Sequence, residues 1–354
     1  MSTLCRILAP LCASLGFVAV QPAAPAEAAL KSMWGPSVLP DGSSAFPTYK
    51  RLGVQVLQHQ LSWRDVATAR PANPGDPADP AYRWPSSLDA VVAEADRNGI
   101  KTALMVKRTP DWANGNRGEQ WVPTRMQDYA DFLVAAARRY PTVRHWMVWG
   151  EPTRGDSFKP MSPNSARGPR LYARMLDQAY AALKRVRRSN VVIGGMTWTV
   201  GVVSAPKFIR WMKLPNGKRP RLDWFGHNPF SVRSPKLSRR PYSSRVRDMS
   251  DVDTLYREVR RAYKGRKAPR LWLSEFTVSA RRNNRAFAFH VSERGQARWV
   301  TAAYRIACTH RYIAGLGWYT LLDEPEQRGA GLTSGLLDFT GKPKPAFNSY
   351  RKAC

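Results

Sequence analysis

The chain has 354 residues, of which 43% are hydrophobic, so it is long enough to bury a sizeable core. Its formal net charge of +30 favours anionic neighbours, such as an acidic polysaccharide or an anionic cell wall, and the composition excludes a disordered or repeat protein. The five histidines do not form metal-ligand spacings with cysteines or carboxylates, so the sequence predicts no metal and no other cofactor.

The N-terminal segment has the layout of a secretory signal peptide. After Arg6 the residues from 7 to 20 are almost entirely apolar, and the small residues that follow offer cleavage sites after Ala28 or Ala29. The apolar run is too short for a stable membrane span. We therefore expect residues 1–29 to be removed, the protein to be secreted, and residues 30–354 to form one domain. An uncleaved membrane anchor is the alternative.

Eight short apolar runs alternate with longer amphipathic ones along the rest of the chain. The predicted strands cover residues 31–35, 54–58, 102–106, 145–149, 191–195, 222–226, 270–274 and 314–318. The predicted helices include residues 86–98, 126–140, 171–188, 252–263 and 295–309. Eight strands joined by helical crossovers predict an α/β fold, a single-domain (β/α)8 TIM barrel. An open sheet is the alternative, although no glycine-rich phosphate loop follows the first strand.

Two glutamates follow predicted strands at the end where barrel enzymes carry their chemistry. Glu151 follows the fourth strand and Glu275 follows the seventh. They are about 124 residues apart, which is roughly 41 residues for each of three β/α units, and the mature chain divided by eight gives the same value. The spacing therefore fits strands four and seven of one barrel.

A pair of carboxylates at these positions suits the cleavage of a glycosidic bond. Retaining hydrolysis needs one carboxylic acid to protonate the leaving oxygen and a second, ionised carboxylate to attack the anomeric carbon. An isolated glutamate at a strand end more often caps a helix or pairs with an arginine. Two glutamates at matching ends favour catalysis over that structural interpretation.

The motifs around these glutamates resemble those of clan A glycoside hydrolases, nearest to family 39 and to members like family 5. The resemblance rests on Trp149-Gly150-Glu151-Pro152, on Ser274-Glu275-Phe276, on Gly317-Trp318-Tyr319 and on the closing stretch from Ser334 to Phe347. It covers the chain from about Trp34 to Arg351. It implies a (β/α)8 enzyme in which Glu151 is the acid/base and Glu275 the nucleophile.

Two positions depart from the pattern of that clan. Gly150 stands where the clan usually has an asparagine that holds the sugar 2-hydroxyl, a contact that strengthens in the transition state. Phe230 stands where many relatives have a tyrosine that donates a hydrogen bond to the nucleophile. Asn228 or His227 would then supply the substitute, and a structural role for His227 is the alternative.

Four of the thirteen tryptophans lie at or just beyond predicted strand ends. An indole there can stack on the apolar face of a sugar while its N–H binds a hydroxyl. The candidates are Trp34, Trp112, Trp149 and Trp318. Core packing is the alternative for any single one of them, and only for Trp318 does the resemblance favour the sugar site.

The loops after the fourth, sixth and seventh predicted strands are basic. They contain Arg154, Lys159, Arg167 and Arg170; then Arg233, Lys236, Arg239, Arg240, Arg245 and Arg247; then Arg281, Arg282 and Arg285. If these loops surround the active site, an anionic glycan is a candidate substrate. Because the predicted helices are equally basic, a generally arginine-rich composition explains the loops as well.

Two cysteines remain after the signal peptide, Cys308 and the C-terminal Cys354. In an oxidising compartment we expect them to form a disulfide, and two free thiols are the alternative.

The sequence thus predicts a secreted retaining glycoside hydrolase that binds a carbohydrate, with possible electrostatic association with an anionic cell wall. A lectin-like barrel that binds glycans without cleaving them is the second interpretation. Nucleic-acid binding rests on charge alone and conflicts with secretion, so we expect no nucleic-acid partner.

Overall fold

A computed structural model describes residues 28–238, 240–283, 288–325 and 331–354. Nearly all of the predicted signal peptide, residues 1–27, lies outside the described residues, as do Arg239 and Arg285. Eight parallel strands close into a barrel: β1 (Leu30–Trp34), β2 (Val56–Ser62), β3 (Lys101–Lys107), β4 (His145–Val148), β5 (Val191–Trp198), β6 (Trp224–Asn228), β7 (Arg270–Phe276) and β10 (Ile313–Tyr319).

Neighbouring barrel strands are consecutive in sequence, and β1 pairs with β10 to complete the cylinder. This confirms the predicted (β/α)8 fold. The two short strands β8 (Ser279–Ala280) and β9 (His290–Val291) form a separate parallel pair after β7.

Ten helices accompany the strands in the described part of the chain. They are α1 (Phe46–Leu52), α2 (Trp63–Val66), α3 (Ser86–Arg97), α4 (Asp111–Asn114), α5 (Met126–Arg139), α6 (Arg167–Val186), α7 (Ala205–Trp211), α8 (Val252–Ala262), α9 (Glu293–Thr309) and α10 (Pro345–Arg351), with one 3₁₀ turn at Met249–Asp251. The five predicted helices are α3, α5, α6, α8 and α9. Their amphipathic sequences are long enough to read, whereas α1, α2, α4, α7 and α10 span at most seven residues each. None of these helices is long and apolar enough to cross a membrane.

The apolar side chains form two separate layers. The barrel interior holds a small cluster that includes Met105, Met147 and Trp272, and Trp272 stacks on Trp224 with ring centroids 5.5 Å apart. A much larger cluster fills the space between the strands and the surrounding helices. Because alternate residues of a strand point to opposite faces, each strand contributes to both layers.

Two β-bulges interrupt this alternation at the mouth of the barrel. In β7, Leu273 and Phe276 pair with Leu316 and Trp318 of β10, so three steps along β7 match two along β10. In β5, Gly194 and Thr197 pair with residues only two apart on β6, and the intervening Gly195 and Met196 both have positive φ. A bulge changes the direction of the side chains that follow it.

The C-terminal segment is fastened to the start of the barrel. The buried Lys31 of β1 donates hydrogen bonds to the carbonyls of Leu52, Tyr350 and Ala353 over 2.8–3.1 Å. Burial lowers the pKa of Lys31 to about 8. The predicted disulfide is present, and Cys308 of α9 is joined to Cys354 with the Cα atoms 5.8 Å apart.

Candidate active site

Glu151 follows β4, and a strained backbone turn carries it. Trp149 and Glu151 have φ angles of 67° and 47°, in the left-handed region that side chains other than glycine rarely adopt. Such conformations concentrate at functional sites, where the surrounding structure holds them. The Glu151 side chain is 16% exposed.

Glu275 lies within β7, at the bulge. The preceding Ser274 faces the barrel interior, where its hydroxyl donates to Gln58 Oε1 over 3.0 Å. The following Phe276 packs outward against Trp299 of α9, with ring centroids 6.2 Å apart. The bulge accommodates Glu275 between these two side chains, and Glu275 remains partly exposed.

Asn228, the last residue of β6, connects the two glutamates. Its Nδ2 donates to Glu151 Oε1 over 3.0 Å, and its amide lowers the pKa of the neighbouring Glu275 against the effect of burial. Its Oδ1 is buried and accepts no hydrogen bond from the described residues. The two predicted carboxylates therefore share one amide, which leaves an unused acceptor beside them.

Arg154 occupies the second oxygen of Glu151. Its Nη1 lies 2.9 Å from Glu151 Oε2, while its Nε and Nη2 bind Asp156 over 2.9 and 2.5 Å. The guanidinium lies over the ring of Trp198, 4.7 Å from its centroid. The hydrogen bonds to both carboxylates raise the pKa of Arg154 above its ordinary value, so this residue remains a cation.

Burial and charged neighbours shift the pKa of Glu275. Burial raises the pKa of Glu275 well above its ordinary value, and the Glu151 carboxylate raises it further, whereas Lys107, Asn228 and Arg154 act in the opposite direction. Lys107, at the end of β3, has its own pKa lowered by burial and by Arg108, against the attraction of Glu151 and Glu275. Burial thus holds Glu275 toward its protonated form in the absence of a ligand.

The predicted tryptophans occupy four different environments. Trp34 is partly exposed at the mouth, donates its indole N–H to the Ser274 carbonyl over 3.1 Å, and lies 6.5 Å from the ring of Tyr319. Trp112 is partly exposed on α4, and the guanidinium of Arg70 lies 4.5 Å from its ring centroid. Trp34 is thus next to the Glu275 strand, whereas Trp112 belongs to a separate cluster with Trp63.

Trp149 and Trp318 are fully buried, and each donates its indole N–H to a backbone carbonyl, that of Ser157 or Ser334. Trp149 packs against Phe158, in the layer between strands and helices. Because both rings are fully buried, neither can stack on a sugar in this structure. The predicted sugar contact of Trp149 and Trp318 is therefore wrong, and the two rings pack beneath the site instead.

Tyr319 is a site residue that the sequence did not indicate. In β10 the odd positions face the interior, as the close approach of Gly317 to Gln58 shows, so Trp318 points outward and Tyr319 inward. Burial raises the pKa of Tyr319 to about 12, and the negative charges of Glu275, Glu324 and Glu151 contribute less to the same shift. The alternation of side-chain direction along the strand is the signal that would have identified Tyr319.

His227 is buried and has both ring nitrogens engaged. Nε2 donates to the Arg247 carbonyl over 2.7 Å, and Nδ1 accepts from the Thr197 hydroxyl over 2.8 Å. Burial lowers the pKa of His227 to about 4, so the ring is neutral at physiological pH. The histidine therefore fixes β6 beside Asn228, which corresponds to the structural alternative.

Gly150 is a glycine for a steric reason. A Cβ atom at this position would lie 2.5 Å from Sδ of Met105, which fills the barrel interior. An asparagine at position 150 therefore requires a different packing of that methionine.

Several of the predicted basic residues are neutralised within the protein. Arg233 pairs with Asp248 and Asp251, Arg247 pairs with Glu258, and Arg281 pairs with Glu293. A cleft of about 230 Å³ beside Glu151 is lined by three cations, Lys107, Arg108 and Arg154, and also by Glu119 and Asp156, which pair with Arg108 and Arg154. Among the described residues no group of His, Cys, Asp and Glu is arranged to hold a metal ion.

Comparison with known proteins gives matches only at the level of structure. No family model matches the chain, and no curated protein matches its sequence. A family 39 glycoside hydrolase from the gut symbiont Bacteroides cellulosilyticus has 16% identity and a TM-score of 0.66, over 92% of this chain and 63% of that one. A family 39 β-xylosidase from Caulobacter crescentus has 18% identity and a TM-score of 0.62, over 92% of this chain and 71% of that one.

A family 2 β-galacturonidase from Eisenbergiella tayi, bound to galacturonate, has 13% identity and a TM-score of 0.55, over 92% of this chain and 51% of that one. The chain thus spans between about half and seven tenths of these structures. It shares the clan A (β/α)8 barrel of family 39 and family 2 glycoside hydrolases, at low sequence identity.

Proposed function

We propose that this protein is a retaining glycoside hydrolase in which Glu151 is the acid/base and Glu275 the nucleophile. The observation that carries the proposal is the meeting of the two glutamates at the mouth of the barrel, where Asn228 donates to Glu151 and both Asn228 and Glu151 act on the pKa of Glu275. Glu275 would attack the anomeric carbon while Glu151 protonates the leaving oxygen, and water activated by Glu151 would then release the sugar.

Asn228 supports this role in a second way. Its Oδ1 is a buried acceptor beside both carboxylates, and an unpaired acceptor of this kind favours a ligand that brings a donor. A sugar hydroxyl is such a donor. Asn228 would thereby replace the contact that relatives make with the asparagine absent at Gly150.

The free enzyme does not yet have the protonation state that this mechanism starts from. Burial favours the protonated form of Glu275, and each oxygen of Glu151 accepts a hydrogen bond, from Arg154 or from Asn228. Retaining hydrolysis needs Glu275 as the carboxylate and Glu151 as the acid. Substrate binding must therefore move Arg154 from Glu151 and remove the proton from Glu275.

An anionic sugar would accomplish that movement, and it is the substrate class that we favour. In the cleft beside Glu151, Arg108 and Arg154 pair with Glu119 and Asp156, and Lys107 adds a further cation; a carboxylate entering the cleft would compete with Glu151 for Arg154. The β-galacturonidase among the structural neighbours is bound to galacturonate, an acidic sugar. Added salt should slow the cleavage of acidic substrates more than that of neutral ones.

The two glutamates can be assigned by the products that azide forms. Aryl glycosides of neutral and acidic sugars would be given to the parent protein, to Glu151→Ala and to Glu275→Ala. In Glu151→Ala, azide would displace Glu275 from the glycosyl intermediate and give a glycosyl azide of retained configuration. In Glu275→Ala, azide would displace the phenolate directly and give the inverted product. Without azide we expect each variant to lose about 10²–10⁴-fold or more in rate.

A glycan-binding barrel without activity is the second candidate, and the Arg154–Glu151 ion pair is the observation that favours it. Binding without turnover, unchanged in both alanine variants, would establish that candidate and reject catalysis.

We also propose that the protein is secreted after cleavage near Ala28 or Ala29 and associates with an anionic cell wall through its charge. N-terminal sequencing of the mature protein tests the cleavage. Release from cell walls by salt tests the association.

A further inference from the structure

The loops that follow β5, β6 and β7 form a groove beside the carboxylates. It encloses about 280 Å³ and most of its accessible wall is apolar. The side chains used below are Trp198, Val200, Phe230, Val232, Tyr242 and Val278.

Exposed apolar side chains are concentrated at this groove, although the protein as a whole is strongly charged. Val200, Val232 and Tyr242 are 58%, 61% and 62% exposed. These three groove residues are half of the six most exposed large apolar side chains in the described part of the chain. The remaining surface belongs to a protein with a net charge of +30. A concentrated apolar surface of this kind marks a binding site.

The outer wall of the groove is fixed in place by a buried ionic network. Arg233 binds Asp248 over 2.7 and 2.9 Å and Asp251 over 2.9 Å, and both aspartates are buried. The same guanidinium lies 5.4 Å from the ring centroid of Tyr242. The groove is therefore preformed, which reduces the entropy lost when a ligand binds.

The groove and the acid/base lie on either side of Trp198. Trp198 ends β5 and forms part of the groove wall, and its ring carries Arg154 at 4.7 Å. Arg154 in turn contacts Glu151 at 2.9 Å. Because the acid/base protonates the oxygen of the leaving group, that group lies on the Glu151 side of the cleaved bond. A substituent on that oxygen would extend into the groove.

Two polar groups of the groove wall are already engaged within the protein. The Thr199 hydroxyl shares its one hydrogen between the carbonyls of Asn228 and Phe230, and the Asp248 carboxylate is held by Arg233 and the Ser250 amide. Thr277 Oγ1 has no partner among the described residues, but it is buried. A second sugar would exchange water for an apolar wall without replacing its hydrogen bonds. The lining therefore disfavours a sugar as the leaving group.

From these contacts we propose that the groove binds an apolar aglycone, an alkyl or aryl group attached to the glycosidic oxygen. This inference rests on the proposed function, because it names the leaving group of the same reaction. The natural substrate is then a glycoside of an apolar alcohol, whose sugar lies at the carboxylates.

The test compares methyl to octyl β-D-xylosides and β-D-galacturonides, kept below their micelle concentrations. Each methylene that enters the groove should raise kcat/KM about fourfold, which corresponds to ~0.8 kcal/mol of buried methylene. The variant Val200→Ser/Val232→Ser should lower the octyl-to-methyl ratio at least tenfold. Both side chains are more than half exposed, so their replacement leaves the core intact.

Phe339→Ser is the matched control, because Phe339 is 53% exposed but does not line the groove. It should keep the ratio of the parent. A ratio that is equal in the parent and in the double valine variant, with hydrolysis intact, would overturn the groove and leave the proposed function standing.

Binding distinguishes the two proposals if no glycoside is cleaved. Calorimetry with octyl and methyl glycosides on Glu275→Gln should show tighter octyl binding with a negative heat-capacity change, lost in the double valine variant. That result would support the groove even where hydrolysis fails. Equal octyl affinity with and without the two valines would reject it.

Discussion

Glu151 is engaged at both carboxylate oxygens, and this constrains how it can act. Oε1 accepts from Asn228 and Oε2 from Arg154, so one lone pair of each oxygen is already engaged. Asn228 also lowers the pKa of Glu275, so its amide acts on both carboxyls. Arg154 has an alternative partner in Asp156 and can leave Glu151 without losing every contact.

Replacing Arg154 by glutamine should change the pH profile of the proposed hydrolysis. The Arg154 cation lowers the pKa of Glu275, so its loss should move the acidic limb of kcat/KM on neutral aryl glycosides, which follows the ionisation of the nucleophile, to higher pH by about one unit. Arg167→Gln removes one charge without contacting Glu151 and should leave the limb in place. A limb that stays fixed in Arg154→Gln would show that Arg154 does not act on the nucleophile.

Restoring an asparagine at position 150 should destabilise the protein. Its Cβ would lie 2.5 Å from Met105 Sδ in a packed interior, and overpacking of this kind costs about 1–3 kcal/mol. Urea unfolding of Gly150→Asn, of Met105→Ala and of the double variant measures the coupling. If the double variant is no more stable than the sum of the single effects predicts, the steric explanation fails.

Glu275→Gln should stabilise the folded protein at neutral and alkaline pH. The folded-state pKa of Glu275 is raised, so the parent is relatively most stable below the unfolded pKa and loses that stability as pH rises through the folded one. The variant lacks this loss, and its advantage should reach about 1.4 kcal/mol for each unit of pKa displacement. Urea unfolding at acid and alkaline pH measures it, with exposed Asp96→Asn as the control. An advantage that is independent of pH would contradict this explanation.

At the level of elements, two bulges shape the mouth of the barrel. The bulge in β7 lies at the position of Glu275, and the one in β5 precedes Trp198, which separates the acid/base from the groove. The segment after β10 is held by a buried ion pair, in which Lys344 Nζ lies 2.8 and 3.0 Å from the two oxygens of Asp323. This pair fixes the segment that supports Trp318 from below through Ser334.

Replacing Lys344 by methionine should cost about 3–5 kcal/mol of unfolding free energy, because Asp323 would stay buried without a counter-charge. The double variant Asp323→Leu/Lys344→Met should recover most of that loss. Chemical denaturation of the parent and the three variants gives the coupling. A double variant that is as unstable as the single one would mean that the ion pair contributes more than mutual neutralisation.

Across the whole molecule, the barrel is closed by contacts between its two ends. Lys31 connects β1 to the C-terminal carbonyls, and the Cys308–Cys354 disulfide fixes the last residue to α9. The chain charge is spread over the surface, but its effect near the glutamates comes from three cations in one cleft. Net charge alone therefore did not locate the anionic subsite that we propose.

Removing the disulfide with Cys354→Ser should lower the unfolding free energy by about 2–4 kcal/mol, as expected for a cross-link that spans 46 residues. Thermal and urea unfolding of the oxidised protein check this, with reduced parent protein as the comparison. Parent and variant should converge under reducing conditions. Equal stability under oxidising conditions would show that the cross-link does not constrain the unfolded chain.

The sequence by itself determined the barrel, its eight strands and the strand positions of Glu151 and Glu275, because hydrophobic periodicity and spacing are properties of the linear chain. Tertiary structure alone decided which side chains meet. Asn228 joins the two glutamates only after β4, β6 and β7 are assembled, and Arg154 lies against Glu151 only in the folded loop. Trp318 and Tyr319 are neighbours in β10 and point to opposite faces of the strand, Trp318 outward into the packed layer and Tyr319 into the barrel. Matching a motif does not show which of the two faces the site. Side-chain direction depends on bulges and closure, so the chemistry of the mouth is a property of the closed barrel.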